Sequence, residues 1–312
     1  MPGASIRRVM IVCAGAGVQA RALTYPGGSC WLYTMIRILI LGAGGAIPTP
    51  LRGPAAYWLS VDGRSILLDP GPGALTRLLA SPHGPDSVDA IDTVLFSHFH
   101  LDHCADLAPL LFALRSEVLP STHPLQLIGP RGLGDYVDRL RNLYGDWMVP
   151  RNRPVEILEI GAGEAVAPTT DAGAWAAGAD GASPSVRAFA VAHCENRFSA
   201  ENLGFLVNDV HGRRLVYSGD TGACEALVEA AAGADLLVVE CTMPEEYAVD
   251  THMSPSRVAD LCLRAAPRRV VLTHIYPAAA ELDLPRLINA VYDGDVVAAV
   301  DGDLFSLGEN DA

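Results

Sequence analysis

Three histidines and an aspartate fall within six residues, His98-Phe99-His100-Leu101-Asp102-His103, and no other feature of this 312-residue chain constrains its fold as tightly. The run follows an apolar strand expected at residues 93–96 and precedes an apolar helix expected from Leu107, so it occupies a strand-to-helix corner. Ordinary packing does not explain it, because four polar groups gathered at a buried corner without a cation would leave unpaired dipoles and charge. While the chain is still extended, His98 and His100 point the same way and can grip one ion. Asp102 and His103, on the following turn, can face a second ion beside it.

From Ile36 onward, short β-rich runs alternate with turn signals and helical stretches, which predicts an α/β or α+β domain. Strands are expected at residues 36–41, 57–61, 65–68, 93–96, 125–128, 187–191, 204–208, 214–218, 236–239, 270–273 and 296–300, the second and third joined as a hairpin across Asp62-Gly63. Helices are expected near 73–79, 107–114, 133–143, 224–232, 255–265 and 284–292, the fifth with Ser254 at its N-cap and Pro255 in its first turn. Strand-then-helix units recur in both halves, and no linker divides residues 35–312, which read as a single domain. Residues 168–185, rich in Ala, Gly, Asp and Thr around a solitary Trp175, read as a surface loop or flap. Arg7 and Arg8 before the apolar residues 9–18 loosely imitate a secretory signal, but Cys13, Gly15 and Gly17 make a poor hydrophobic segment. Residues 1–34 are read instead as an extension upstream of the first strand, from a misassigned start or as a poorly ordered tail.

Composition narrows the chemistry. Against 36 acidic residues stand 22 basic ones, all arginine, leaving a formal charge of −14. Without lysine, Schiff-base catalysis and a P-loop are excluded, and the acidic balance opposes broad nucleic-acid coating. Seven cysteines (Cys13, Cys30, Cys104, Cys194, Cys224, Cys241, Cys262), odd in number and without a C-x-x-C pair, fit a reduced, cytoplasmic compartment. No apolar run reaches the roughly 18 residues that span a bilayer, so no membrane partner is expected.

The histidine cluster and four later motifs resemble the metallo-β-lactamase superfamily from about Ile36 to Gly308. That family's strand-end aspartate has a counterpart in Leu67-Leu68-Asp69-Pro70-Gly71, its later histidine in His193, its bridging aspartate in Ser218-Gly219-Asp220-Thr221 and its last histidine in Leu272-Thr273-His274. Each stands at the C-terminal end of an expected strand, where a sheet presents functional side chains. The resemblance implies a four-layer αββα sandwich. It implies that His98, His100 and His193 hold one divalent ion and Asp102, His103 and His274 another, with Asp220 bridging and Asp69 orienting a ligand from behind. Nitrogen and oxygen donors suit Zn²⁺, with Mn²⁺ or Fe as alternatives. Two such ions sharing a hydroxide and clamping a developing oxyanion define the reaction class as hydrolysis. Cys104 and Cys194 adjoin proposed ligands but read as small neighbours rather than donors, and His83, His123 and His211 read as surface residues.

Within the family, Leu41-Gly42-Ala43-Gly44-Gly45-Ala46-Ile47-Pro48-Thr49-Pro50-Leu51-Arg52 and Ile128-Gly129-Pro130-Arg131-Gly132-Leu133 resemble the ribonuclease Z-like branch, which also holds cyclic and alkyl phosphodiesterases. Thr251-His252-Met253-Ser254 corresponds to that branch's His-x-Ser/Thr loop, in which a histidine outside the metal shell assists the leaving alkoxide. Ala43 and Met253 are mild departures from the branch pattern. Ribonuclease Z itself, an endonuclease, grips precursor tRNA with a basic Gly/Pro-rich arm that is not found here, and Arg131, Arg139, Arg141, Arg151 and Arg153 read as a solvated face. The expected function is therefore dinuclear phosphodiester hydrolysis on a small diester or an RNA end. Asp102 would receive or position the proton of the attacking hydroxide, His252 would support the leaving oxygen, and Asp69 would stand behind them. The alternative is hydrolysis of a lactone, thioester, sulfate ester or β-lactam, chemistries that need His252 less. A metal-binding domain without catalysis is disfavoured by the intact set of seven ligands. The resemblance is compatible with a homodimer, which no sequence feature decides.

Overall fold

The hydrophobic runs form two eight-stranded sheets that pack face to face, each covered on its outer side by helices. The computed structural model describes residues 7–11, 36–116, 118, 119, 121, 123–168, 175–178, 184–194 and 201–308. The first sheet takes β1 (Arg7–Ile11), β2 (Ile36–Gly42), β3 (Ala56–Val61), β4 (Arg64–Leu68), β5 (Thr93–Leu95), β6 (Leu125–Gly129) and β7 (Val155–Glu159). The second takes β8 (Ala165–Pro168), β9 (Trp175–Ala177), β10 (Ser185–Ala190), β11 (Leu203–Asn208), β12 (Arg214–Tyr217), β13 (Leu236–Glu240), β14 (Arg269–Thr273) and β15 (Asp295–Ala298). β16 (Leu304–Leu307) returns to the first sheet beside β2. Helices α1 (Ala74–Ala80), α2 (Leu101–Cys104), α3 (Leu107–Ala113) and α4 (Leu133–Tyr144) belong to the first half. Helices α5 (Glu225–Ala231), α6 (Pro255–Ala265), α7 (Pro277–Ala280) and α8 (Leu284–Asn289) belong to the second.

Side-chain alternation explains the layering. Ile36, Ile38 and Ile40 of β2 join Phe205, Tyr217 and Val271 in the core between the sheets, whereas Leu39 and Leu41 join Leu78 of α1 and Leu107 of α3 on the outer side. A strand apolar on both faces is the mark of burial between two layers. Asp62 and Gly63, at φ 48° and 80°, make the tight turn of the β3–β4 hairpin. In each sheet four consecutive strands run parallel: β4 through β7 in one, β12 through β15 in the other. Their C-terminal ends therefore line up along one rim of the sandwich. This is the αββα architecture expected. No helix among the described residues is long and apolar enough to cross a membrane.

Several expectations need correction. β7 escapes the sequence pattern because Glu156 and Glu159 interrupt it. Both are buried, Glu156 accepting a hydrogen bond from Gln126 Nε2 (3.1 Å) and Glu159 accepting from the Gly132 and Gly134 amides (each 3.0 Å) that open α4. The stretch around Trp175 is not wholly surface loop: Trp175–Ala177 is a strand paired with β8, and Trp175 is only 2% exposed. The Gln126 amide pairs with the Trp175 backbone as a neighbouring strand would, accepting from its N–H (2.5 Å) and donating to its carbonyl (3.1 Å). Residues 169–174 and 179–183 of that stretch lie outside the described residues. Arg153 is not on a solvated face either. It is 3% exposed and donates to the carbonyls of Asp89, Ile91 and Pro124. Of the extension at 1–34, Arg7–Ile11 runs as a strand antiparallel to β7, and the rest lies outside the described residues.

Candidate metal centre

The expected ligands and Asp69 gather at this rim. Asp69 follows β4 and His274 follows β14, both in the left-handed region (φ 46° and 53°), where the chain turns sharply out of its strand. His98 and His100 follow β5 in extended conformation, and α2 then carries Asp102 and His103. His193 follows β10, Asp220 follows β12, and His252 stands in the loop before α6.

Around Asp220 these side chains converge. Its Oδ1 lies 3.2 Å from His103 Nε2, and its Oδ2 lies 3.2 Å from His274 Nε2 and 3.9 Å from both His98 Nε2 and His193 Nε2. Asp102 Oδ2 lies 3.4 Å from His274 Nε2 and 3.8 Å from His103 Nε2. His193 Nε2 and His100 Nδ1 face one another at 3.2 Å.

Outer partners set which nitrogen of each ring is bare. His193 Nδ1 is 3.0 Å from the Thr251 carbonyl, an acceptor only, so Nδ1 carries the proton. His103 Nδ1 donates to Asp69 Oδ2 (2.9 Å). Ser97 Oγ spends its proton on Asp69 (2.5 Å) and so accepts from His98 Nδ1 (2.9 Å). Thr242 Oγ1 likewise donates to Glu240 and accepts from His274 Nδ1 (2.8 Å). With each Nδ1 engaged outward, four imidazoles turn their Nε2 atoms toward one point, the arrangement outer partners impose on metal-ligating histidines.

A cation fits this centre on two counts. His98 Nε2, His103 Nε2 and Asp220 Oδ1 are buried without a hydrogen-bond partner, which is costly unless an ion satisfies them. Donor atoms of His98, His100, His193 and Asp220 lie within 4.8 Å of one another, as do those of Asp102, His103 and His274. Asp220 touches both groups. Asp69 also falls within such a group with His98 and His103, but its carboxylate already accepts from Ser97 N, Ser97 Oγ, His103 and Tyr217, which makes it an orienting residue. Burial and then His103 hold the His98 imidazole well below its usual range. Burial works against the Asp220 carboxylate, yet His103 and His274 hold it well below the carboxylate range.

His252 completes the rim. Its Nδ1 lies 3.0 Å from both oxygens of Glu240, and its ring stacks on His274 at 5.6 Å and 12°. Burial alone would lower its pKa, but the Glu240 carboxylate overrides burial and raises it. With Asp220 and His274 it too falls within 4.8 Å, but those two residues already belong to the other groups. Glu240, fully buried, also accepts from the Thr221 amide (2.5 Å), the Met253 amide (3.2 Å) and Thr242. Sequence reasoning missed Glu240, although a lone carboxylate ending the otherwise apolar Leu236–Glu240 strand is a legible signal. It also missed Ser97, Tyr217 and Thr242. Cys104 is buried, its thiol pushed up to about 11 by burial. Cys194 is exposed, with Sγ 3.8 Å from His193 Nε2. His83, His123 and His211 are exposed and belong to none of the donor groups.

The chain is similar to known proteins over most of its length. A family model described as "Beta-lactamase superfamily domain" matches residues 64–275. A ribonuclease Z of Mycobacterium avium (strain 104) is 32% identical over 255 residues, covering 78% of this chain and 87% of that protein. The metallo-β-lactamase fold protein YhfI of Bacillus subtilis superposes with a TM-score of 0.70 at 18% identity, covering 88% of this chain and 100% of that one. The short form of human tRNase Z superposes with a TM-score of 0.63 at 23% identity, covering 86% and 98%.

Proposed function

Because this chain belongs to the metallo-β-lactamase superfamily, in its ribonuclease Z-like branch, we propose that its rim hydrolyses phosphodiesters, with a small diester or an RNA end as substrate. The observation that carries the reading is His252, anchored through Nδ1 by Glu240 and placed beside both donor groups. His98, His100, His193 and Asp220 would hold one divalent ion, and Asp102, His103, His274 and Asp220 a second, zinc being the cation these donors suit best. When bound, such ions supply a water that ionises near neutral pH and positive charge for a developing oxyanion.

The chain's own residues do the rest. Asp102, at the mouth of the centre, accepts the proton of the attacking water. Protonated His252 gives its Nε2 proton to the departing ester oxygen as the P–O bond breaks, while Glu240 holds the ring in place and the charge on it. Asp69 keeps His103 oriented through its Nδ1. The net charge of −14 favours small substrates over long polyanions. Lactones, thioesters and β-lactams make less use of a poised proton donor, which sets them second.

Turnover of bis(p-nitrophenyl) phosphate by Zn²⁺- or Mn²⁺-loaded protein tests the reading. The expected result is hydrolysis that a chelator abolishes and added metal restores. No turnover by fully loaded protein would transfer the reading to the other esters. The pH profile gives a second check. A raised pKa keeps His252 protonated to higher pH, so Glu240→Gln is expected to move the alkaline limb of the kcat profile to lower pH. An unmoved limb would separate His252 from proton donation.

A further inference from the structure

The turn between β2 and β3 lies against the last histidine, and the proposed chemistry leaves it unused. Its neck is clamped by Asp301, whose carboxylate accepts from the Ala43 amide (2.9 Å) and the Gly53 amide (2.8 Å), and by the Ile275 amide bonding the Ala43 carbonyl (2.9 Å). A side chain at Gly45 would come 2.3 Å from Tyr276 Cε1 and 2.6 Å from His274 Cε1, so only glycine lets the turn approach these rings. Tyr276 stands 5.5 Å from the His274 ring at 36° and is half-buried. Its own amide donates to the Thr242 carbonyl (3.3 Å). The neighbouring Ile275 is fully buried and supplies the packing of this segment. Ile47, next along the turn, is 53% exposed.

A large aromatic ring held between the Gly45 turn and the His274 ring, partly open, and one ring away from the donor groups is a ready stacking surface. Its rotamer is already fixed, so little ordering entropy is lost when a planar group lies on it. We propose that Tyr276 is a specificity-determining residue that stacks on a planar aromatic group of the phosphate ester, with Ile47 flanking it. The ligand class is thus aryl or nucleoside phosphates rather than alkyl phosphates. This rests on the reading of the rim as a phosphate-ester site.

The test is calorimetric binding of phenyl phosphate and ethyl phosphate to the metal-loaded full chain and its Tyr276 variants. Wild type is expected to bind phenyl phosphate about tenfold more tightly than ethyl phosphate, in keeping with the usual strength of aromatic stacking. Tyr276→Leu should erase that preference and leave ethyl phosphate affinity unchanged. Tyr276→Phe should keep the preference. Loss of both affinities together in the leucine variant would mean that Tyr276 only shapes the turn, and a preference that survives the variant, or is absent from wild type, would overturn the proposal. 5′-AMP against ribose 5-phosphate separates the two sources. A Tyr276-dependent gain for AMP assigns nucleotides, and no gain beside a retained phenyl preference assigns small aryl esters. If the phenyl preference depends on Tyr276 while bis(p-nitrophenyl) phosphate is not cleaved, diester hydrolysis fails and the stacking site stands.

Discussion

Asp220→Ala is expected to bring bound zinc below half of the wild-type content and to reduce kcat by at least about 10³-fold. One carboxylate meets four imidazoles: 3.2 Å from His103 and His274, 3.9 Å from His98 and His193. Removing it takes a donor from both groups at once and leaves their bare nitrogens facing an uncompensated gap. Charge stabilisation by a bound ion is worth several kcal/mol in the transition state, and each factor of ten corresponds to about 1.4 kcal/mol. Metal analysis beside steady-state kinetics reads both effects. Full zinc content with kcat within tenfold of wild type would remove Asp220 from the centre.

Asp69→Ala is expected to lower unfolding stability by more than about 3 kcal/mol, since each buried donor left unsatisfied costs about 1–3 kcal/mol. The carboxylate is fully buried and accepts from Ser97 N (2.7 Å), Ser97 Oγ (2.5 Å), His103 Nδ1 (2.9 Å) and Tyr217 OH (2.7 Å). Tyr217 reaches it from β12 of the other sheet, so this cluster also ties the two layers together behind the centre. Alanine is in addition poorly suited to the φ of 46° at this position. Urea unfolding of metal-free protein isolates the effect from ligand binding, and a loss under about 1 kcal/mol would show that the hydrogen bonds are replaceable.

Much of this site is legible from the sequence because it sits where patterns change. Strand periodicity ends in Asp69, Asp220 and His274, and such polar ends of apolar strands converge when parallel strands align. The histidine corner is legible for the same reason. What the sequence conceals is pairing at long range. Glu156 and Glu159 disguise β7 as a polar segment, because their partners Gln126, Gly132 and Gly134 are visible only in space. Trp175 packs in the core between the sheets, its backbone held by the Gln126 amide 49 residues earlier. Arg153 reads as one of several scattered cations, but three carbonyls at the bases of neighbouring strands draw it inside. Glu240 is the instructive omission. It ends a strand as Asp69 and Asp220 do, and its importance lies in orienting His252 and, through Thr242, His274.

His252→Ala tests the central claim most directly, with kcat on bis(p-nitrophenyl) phosphate and zinc content measured on the same preparations. Removal of a positioned proton donor is expected to lower kcat by about 10²–10⁴-fold while zinc content stays at the wild-type level. Unchanged turnover in the variant would contradict a proton-donating His252, and loss of zinc together with turnover would make His252 a metal ligand instead.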